Sequence, residues 1–215
     1  MFMIIRRRRM FSVAAAVAAA AVLCCGCSDY GVGGAFTHAR NGGNNECGKD
    51  GTVGSCKKIT IDGGMTWLAE NLNYKPSSGG SWCYDNRESY CNVYGRLYTW
   101  EAAKAACQSV GMRLPSRVEW DALVAYAGGY SKNLKSTYGW GSGNGTDDFG
   151  FSALPGGFRT SGGGFDNAGY NGLWWTATEL SEGYACLRLM FYGIGYVRED
   201  SNGKSYGISA RCVQD

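Results

Sequence analysis

Apolar side chains recur at three- and four-residue steps in two stretches of the chain, the spacing that gathers them on one face of a helix. In the first, Trp100, Ala103 and Cys107 align behind Thr99, placed to cap the helix, with Glu101 at the positive end of its dipole. That face carries a cysteine into the core. In the second, Trp120, Leu123, Val124 and Ala127 follow Ser116, Glu119 completes a capping box, and Gly128-Gly129 ends the run. Elsewhere the pattern is of β type. Lys58-Ile59-Thr60-Ile61 and Met65-Thr66-Trp67-Leu68-Ala69 are β-prone runs on either side of Asp62-Gly63-Gly64, which predicts a hairpin. Beyond Tyr130 short strands are expected at Gly172 to Thr178, Tyr184 to Phe191 and Ile208 to Val213, separated by long loops and turn clusters that include Asn202-Gly203. The pattern predicts one α+β domain over residues 47–215, with two helices packed on short antiparallel sheets and long glycine-rich loops.

The N-terminal pattern is of another kind. Arg6 to Arg9 precede an apolar run from Phe11 to Leu23, too short for a membrane-crossing helix of ~20 residues, so residues 1–26 read as a secretory signal. The run ends in Leu23-Cys24-Cys25-Gly26-Cys27-Ser28, which resembles the lipobox cut by lipoprotein signal peptidase. Cys27, preceded by a small residue, is the expected acylated position. Leu23 stands one place early for a lipobox, so Cys24 and Cys25 stay open as alternatives, as does an ordinary secretory signal. Residues 27–46, rich in glycine, asparagine and serine, are expected to form a flexible lipidated stalk.

Removing the signal changes the charge. The net +3 includes its four arginines, and without them 17 basic residues stand against 18 acidic ones. No basic face for a phosphate backbone is expected, which argues against nucleic acid as a partner. The chain holds ten cysteines, and export makes disulfides their default reading. Seven lie in the domain: Cys47, Cys56, Cys83, Cys91, Cys107, Cys186 and Cys212. They contain no CxxC pair, and the single histidine, His38, lies in the stalk, so a Cys/His zinc site is not expected.

Six blocks in order carry a family resemblance: Trp67 to Tyr74, Tyr94 to Trp100, Arg113 to Ser116 with Glu119-Trp120, Gly150 to Gly157, Trp174 to Glu179, and Arg211 to Val213. Together they resemble the Fibrobacter succinogenes major paralogous domain over nearly all of the mature chain. More loosely the chain is similar to C-type lectin-like domains, whose Trp-led first helix carries a cysteine bridged to a C-terminal strand. That resemblance implies a disulfide-stapled C-type lectin-like fold and a Cys107–Cys212 bridge. Local spacing then suggests Cys83 with Cys91 and Cys47 with Cys56, leaving Cys186 over. The Arg-Leu-Pro-Ser stretch also resembles formylglycine-generating enzymes, but their close pair of redox cysteines has no counterpart here.

Candidate chemistry is sparse. Nucleophilic catalysis needs a positioned histidine, and His38 is not one. A glycosidase carboxylate pair could be drawn from Asp147, Asp148, Asp166, Glu179, Glu199 and Asp200, which also read as solvated loop charges. Gly141 to Asp148 gathers oxygen ligands on turns; Asn144, Asp147 and Asp148 could hold calcium or simply cap their own backbone. The Glu-Pro-Asn, Gln-Pro-Asp and Trp-Asn-Asp signatures of calcium-dependent lectins are absent. With 7 Trp and 14 Tyr, aromatic faces are available to stack on sugars. Trp174 and Trp175 are adjacent, so one should face the core and at most one a ligand, beside Asp166, Asn167 and Tyr170 in a glycine-rich loop. The expectation is a non-catalytic lipoprotein, exported and membrane-anchored at the outer membrane or cell surface, whose loops bind polysaccharide or an envelope partner. A divergent formylglycine-generating or glycosidase enzyme and a purely structural envelope protein are the rivals.

Overall fold

The computed structural model describes residues 45–61 and 64–215. The signal, Cys24, Cys25, the lipidation position Cys27, His38 and most of the 27–46 stalk lie outside the described residues, as do Asp62 and Gly63 of the expected hairpin turn. The domain is α+β with two sheets and three disulfides. In the smaller sheet β1 (Lys58–Thr60), β2 (Thr66–Leu68) and β11 (Val213–Gln214) lie in the order β1-β2-β11, both pairings antiparallel. The register Lys58↔Leu68 is that of the expected hairpin.

The larger sheet is organised around β7 (Asn171–Ser181), its longest strand. Through β10 (Ile208–Ser209) it reaches β4 (Leu97–Tyr98) and β3 (Ser81–Trp82), and through β5 (Gly156–Arg159) it reaches β6 (Phe165–Ala168). A third partner, β8 (Tyr184–Phe191), continues to β9 (Arg198–Gly203). This sheet is mixed rather than antiparallel, because β7 runs parallel to both β5 and β10. The return strands β6 and β8 supply the reversals that make those pairings parallel.

Three α-helices form among the described residues, one more than the apolar pattern predicts. The Thr99 side chain caps α2 (Trp100–Ser109), accepting from Ala102 N, and Trp100, Ala103 and Cys107 are buried as expected. Ser116 and Glu119 form the capping box of α3 (Arg117–Tyr126), which buries Trp120 and Leu123. Gly128 and Gly129 follow with φ of 72° and 83°, a left-handed exit that a side chain would resist. The additional α1 (Glu88–Tyr94) has seven residues and no side-chain cap. So short a helix has little intrinsic stability, and the Cys83–Cys91 bridge holds it.

Two predicted strand features differ. Ile208 to Val213 splits into β10 and β11, because Ala210, Arg211 and Cys212 leave the ladder. Asn202-Gly203 sits inside β9, paired with Ala185 and Tyr184, and the turn comes at Lys204. Pairing with an eight-residue neighbour overrides the local turn preference.

Both faces of β7 are covered. On one, Trp175 packs with Tyr98, α2, Leu187 and Ile208. On the other, Trp174 packs with Trp67, Trp120, Trp140 and Phe151, where Trp67 and Trp120 meet edge-to-face at 5.1 Å. Disulfides join Cys47 to Cys56, Cys83 to Cys91 and Cys107 to Cys212. The last ties α2 to the C-terminal segment across 105 residues, a closure worth about 4 to 5 kcal/mol in the chain-entropy model. Cys186, in β8, is buried and pairs with no other cysteine among the described residues.

Candidate functional site

The longest-range polar contacts in the domain lie in its core. Arg211 is fully buried and donates from Nε to Asn71 Oδ1 at 2.8 Å, from Nη1 to the carbonyls of Leu68 and Phe151, and from Nη2 to Ser152 O at 2.8 Å. Asn71 Oδ1 also accepts from Trp174 Nε1, and Asn71 Nδ2 donates to Tyr94 O. Among the described residues no carboxylate bonds the guanidinium, and burial pulls Arg211 down to about 9. These residues belong to the sequence blocks singled out above, so much of that signature is core architecture rather than a reacting site.

Both Trp174 and Trp175 are 0% exposed. The expectation that one of them meets a ligand does not hold. Their side chains do alternate across the sheet, but each face of β7 carries its own apolar layer, so both rings are core. Trp174 bonds Asn71 and Trp175 donates to Tyr98 O at 2.8 Å.

Asp166, Asn167 and Tyr170 are placed differently. Asp166 and Asn167 lie in β6, and Tyr170 N bonds Asn167 O at 3.1 Å to close the turn into β7. Asp166 is exposed, and so is half of Tyr170. Beside them stands a 3-10 turn, Tyr84–Asn86, which the sequence pattern did not single out. Tyr84 packs against Phe165 at 5.4 Å between ring centroids and against Tyr90 at 5.2 Å, and Tyr90 stacks on Tyr94 at 6.2 Å. The Asp85 and Asp166 carboxylates add to burial in disfavouring the Tyr84 phenolate. Burial chiefly raises the Tyr84 phenol and pushes Tyr94 up to about 12, so both stay protonated donors at neutral pH.

Two residues past Ala168 stands a second ring group. Tyr170 and Tyr192 meet edge-to-face at 5.4 Å, and Tyr192 N bonds Tyr170 O. The rim thus consists of two ring groups, Tyr84, Tyr90, Tyr94 and Phe165 beside α1 and the start of β6, and Tyr170 with Tyr192 past its end. Among the described residues five non-glycine residues have positive φ, and three of them, Asp85, Asn86 and Asn167, line this rim. Such strain persists where surrounding structure fixes it, and it concentrates at ligand-holding sites. Charges of both signs flank the rings: Asp85 and Asp166, Arg87 over Tyr90, and Arg159 over Trp82. The only sequence cue to Tyr84–Asn86 was its enclosure by a closely spaced cysteine pair.

The other candidates serve local structure. Asn144 Oδ1 accepts from Trp140 N at 3.0 Å, and both Asp147 oxygens accept from Ser152. Asp148 is exposed, and no third carboxylate gathers with this pair among the described residues. Glu179 pairs with Lys204, and Glu199 with Arg117 and Arg188.

An α+β domain stapled by three disulfides, with the Asn71, Trp174 and Arg211 blocks hydrogen-bonded together in the core, defines the class. The Fibrobacter succinogenes major domain family matches residues 60–214, and the chain belongs to it. Neither curated proteins nor solved structures give a match to this chain.

Proposed function

We propose that this protein is an exported lipoprotein, anchored through Cys27, whose C-type lectin-like domain is a non-catalytic module that binds neutral polysaccharide along the tyrosine rim. The observation that carries the reading is the rim itself: Tyr84, Tyr90 and Phe165 in one group of ring contacts and Tyr170 with Tyr192 in a second, edged by strained Asp85, Asn86 and Asn167. Ring faces stack on the apolar faces of sugars, while carboxylates and amides bond hydroxyls. Mixed charge along the rim creates no single-sign field, which favours an uncharged chain over a polyanion. The lectin-like assignment is supported by a Trp-led helix carrying Cys107, a second helix after it, and the bridge from Cys107 to the C-terminal Cys212.

The test is pull-down on insoluble and soluble polysaccharides, first with calcium and then with a chelator. Saturable binding that Tyr84→Ala or Tyr170→Ala abolishes is expected. Chelator sensitivity would bring calcium at Asn144 to Asp148 into the reading. No binding to any glycan in either condition overturns it and directs the search to envelope proteins.

A further inference from the structure

One of the three disulfides lies between opposite charges. Arg96 is 7% exposed, and its Nη1 lies 3.4 Å from Cys83 Sγ and 3.7 Å from Cys91 Sγ. Its Nε and Nη2 bond Ser81, and no carboxylate pairs with it among the described residues. Glu88 Oε2 lies 3.3 Å from Cys83 Sγ. A disulfide has neither a proton for Glu88 nor a charge for Arg96, so in the oxidised state a buried cation goes without a counter-charge. The dithiol state satisfies both: a Cys83 thiol donates to Glu88, and a Cys91 thiolate faces Arg96.

We propose that Cys83–Cys91 is a thiol–disulfide exchange site that takes a dithiol reductant and governs the segment carrying Tyr84 and Tyr90. The reductant's thiolate attacks Cys83 Sγ, the sulfur with 7% residue exposure against 0% for Cys91. The Cys83–Cys91 bond breaks, and Cys91 leaves as a thiolate toward Arg96, a stabilised leaving group that speeds the step. The reductant's second thiol, losing its proton to solvent, attacks its own sulfur in the mixed disulfide. That releases Cys83 as a thiolate, which takes up a proton from solvent and, as a thiol, hydrogen-bonds Glu88. Two electrons pass to the pair, and the reductant ends as a disulfide. Opening the bridge frees the nine-residue ring that holds Asp85 and Asn86 in left-handed conformations with φ of 52° and 53°.

Cys47–Cys56 is the internal control, since it closes a ring of similar size and its Cys56 is 9% exposed. No charged side chain bonds its sulfurs among the described residues. The experiment equilibrates the oxidised protein with mixtures of reduced and oxidised dithiothreitol, alkylates it, and reads each cysteine pair by peptide mass spectrometry. The expected result is half-reduction of Cys83–Cys91 at a reductant ratio at least tenfold lower than for Cys47–Cys56 or Cys107–Cys212, about 30 mV for this two-electron couple. Arg96→Met should remove most of that gap, and Arg96→Lys should keep part of it. If Cys83–Cys91 opens no earlier than Cys47–Cys56 in the unaltered chain, the proposal fails whatever the variants do. Because the readout needs no glycan, it stands or falls separately from the polysaccharide reading.

Discussion

Arg211 Nε and Asn71 Oδ1 meet at 2.8 Å across 140 residues of chain, and the same oxygen accepts from Trp174 Nε1. One amide therefore joins the segment after β2, the central strand β7 and the C-terminal segment before β11. Arg211 adds the carbonyls of Leu68, Phe151 and Ser152, and its guanidinium lies 4.4 Å from the Phe151 ring centroid. A planar fork of donors suits this place, because four acceptors from two distant segments converge on it.

Replacing Arg211 with Met should destabilise the domain by about 3 kcal/mol or more, since the carbonyls of Leu68, Phe151 and Ser152 would lose their donor. Urea unfolding of the variant against the wild type measures this. A loss below about 1 kcal/mol would mean that water replaces the guanidinium.

Glu119 has two roles at the start of α3. Its carboxylate accepts from Arg113 Nη1 and Nη2 at 2.9 and 2.7 Å and from Ser116 N, while its own N–H bonds Ser116 Oγ. The Arg113 hydrogen bonds, and then those from Ser116, hold the carboxyl below its usual range. The stability this contributes is complete above the unfolded value and is lost as pH falls through the lower folded one. Glu119→Gln should therefore cost about 1 to 2 kcal/mol at pH 7, with the gap to wild type closing in acid. A gap that stays constant down to pH 2 in denaturant titrations would contradict the ion-pair account.

Legibility in the sequence followed the range of the forces involved. Thr99, Ser116 and Glu119 act on backbone within four residues of themselves, so α2 and α3 could be read directly. The alternation of Trp174 and Trp175 was also readable, but whether α3 and Trp67 cover the second face of β7 is a long-range fact that the strand does not carry. Helix α1 is built from Tyr, Cys, Asn and Val, weak helix formers, and exists where a disulfide and a neighbouring sheet hold it. The same holds for Tyr84–Asn86, whose left-handed residues owe their conformation to the bridge around them and to packing on β5 and β6. Asp166, Asn167 and Tyr170 could be picked out as a surface turn, while their partners Tyr84 and Tyr192 stand far off in sequence.

Two aromatic substitutions should separate core from rim. Trp174→Ala removes a fully buried ring and the donor to Asn71, and should cost about 3 to 5 kcal/mol. Tyr170→Ala, at a half-exposed ring, should cost under about 1 kcal/mol in thermal or urea unfolding while weakening glycan binding roughly tenfold, or about 1.4 kcal/mol. If Tyr170→Ala destabilised the fold as strongly as Trp174→Ala, the rim would be a packing feature and not a free surface.

Lys135 gives a test on the alkaline side. It is 2% exposed, and its ammonium donates to the carbonyls of Phe191, Tyr192 and Ile194, 4.7 Å from the Trp140 ring centroid, with no acidic partner among the described residues. It thereby fixes the loop that presents Tyr192. Burial pulls the amine down to about 8 from an ordinary 10.5. Between those values the folded chain has released the proton and the unfolded chain still binds it, so stability rises with pH through that window. Below pH 8 both states are protonated, and the folded one bears the full desolvation cost of the cation. The stability of wild type minus that of Lys135→Met, from denaturant midpoints at matched pH, should therefore grow between pH 8 and 10.5 by on the order of 2 kcal/mol. Subtracting the variant cancels the tyrosines that titrate in the same range. A flat difference would mean that the three carbonyls hold the ammonium charged up to its unfolded value, and that their bonds outweigh the burial.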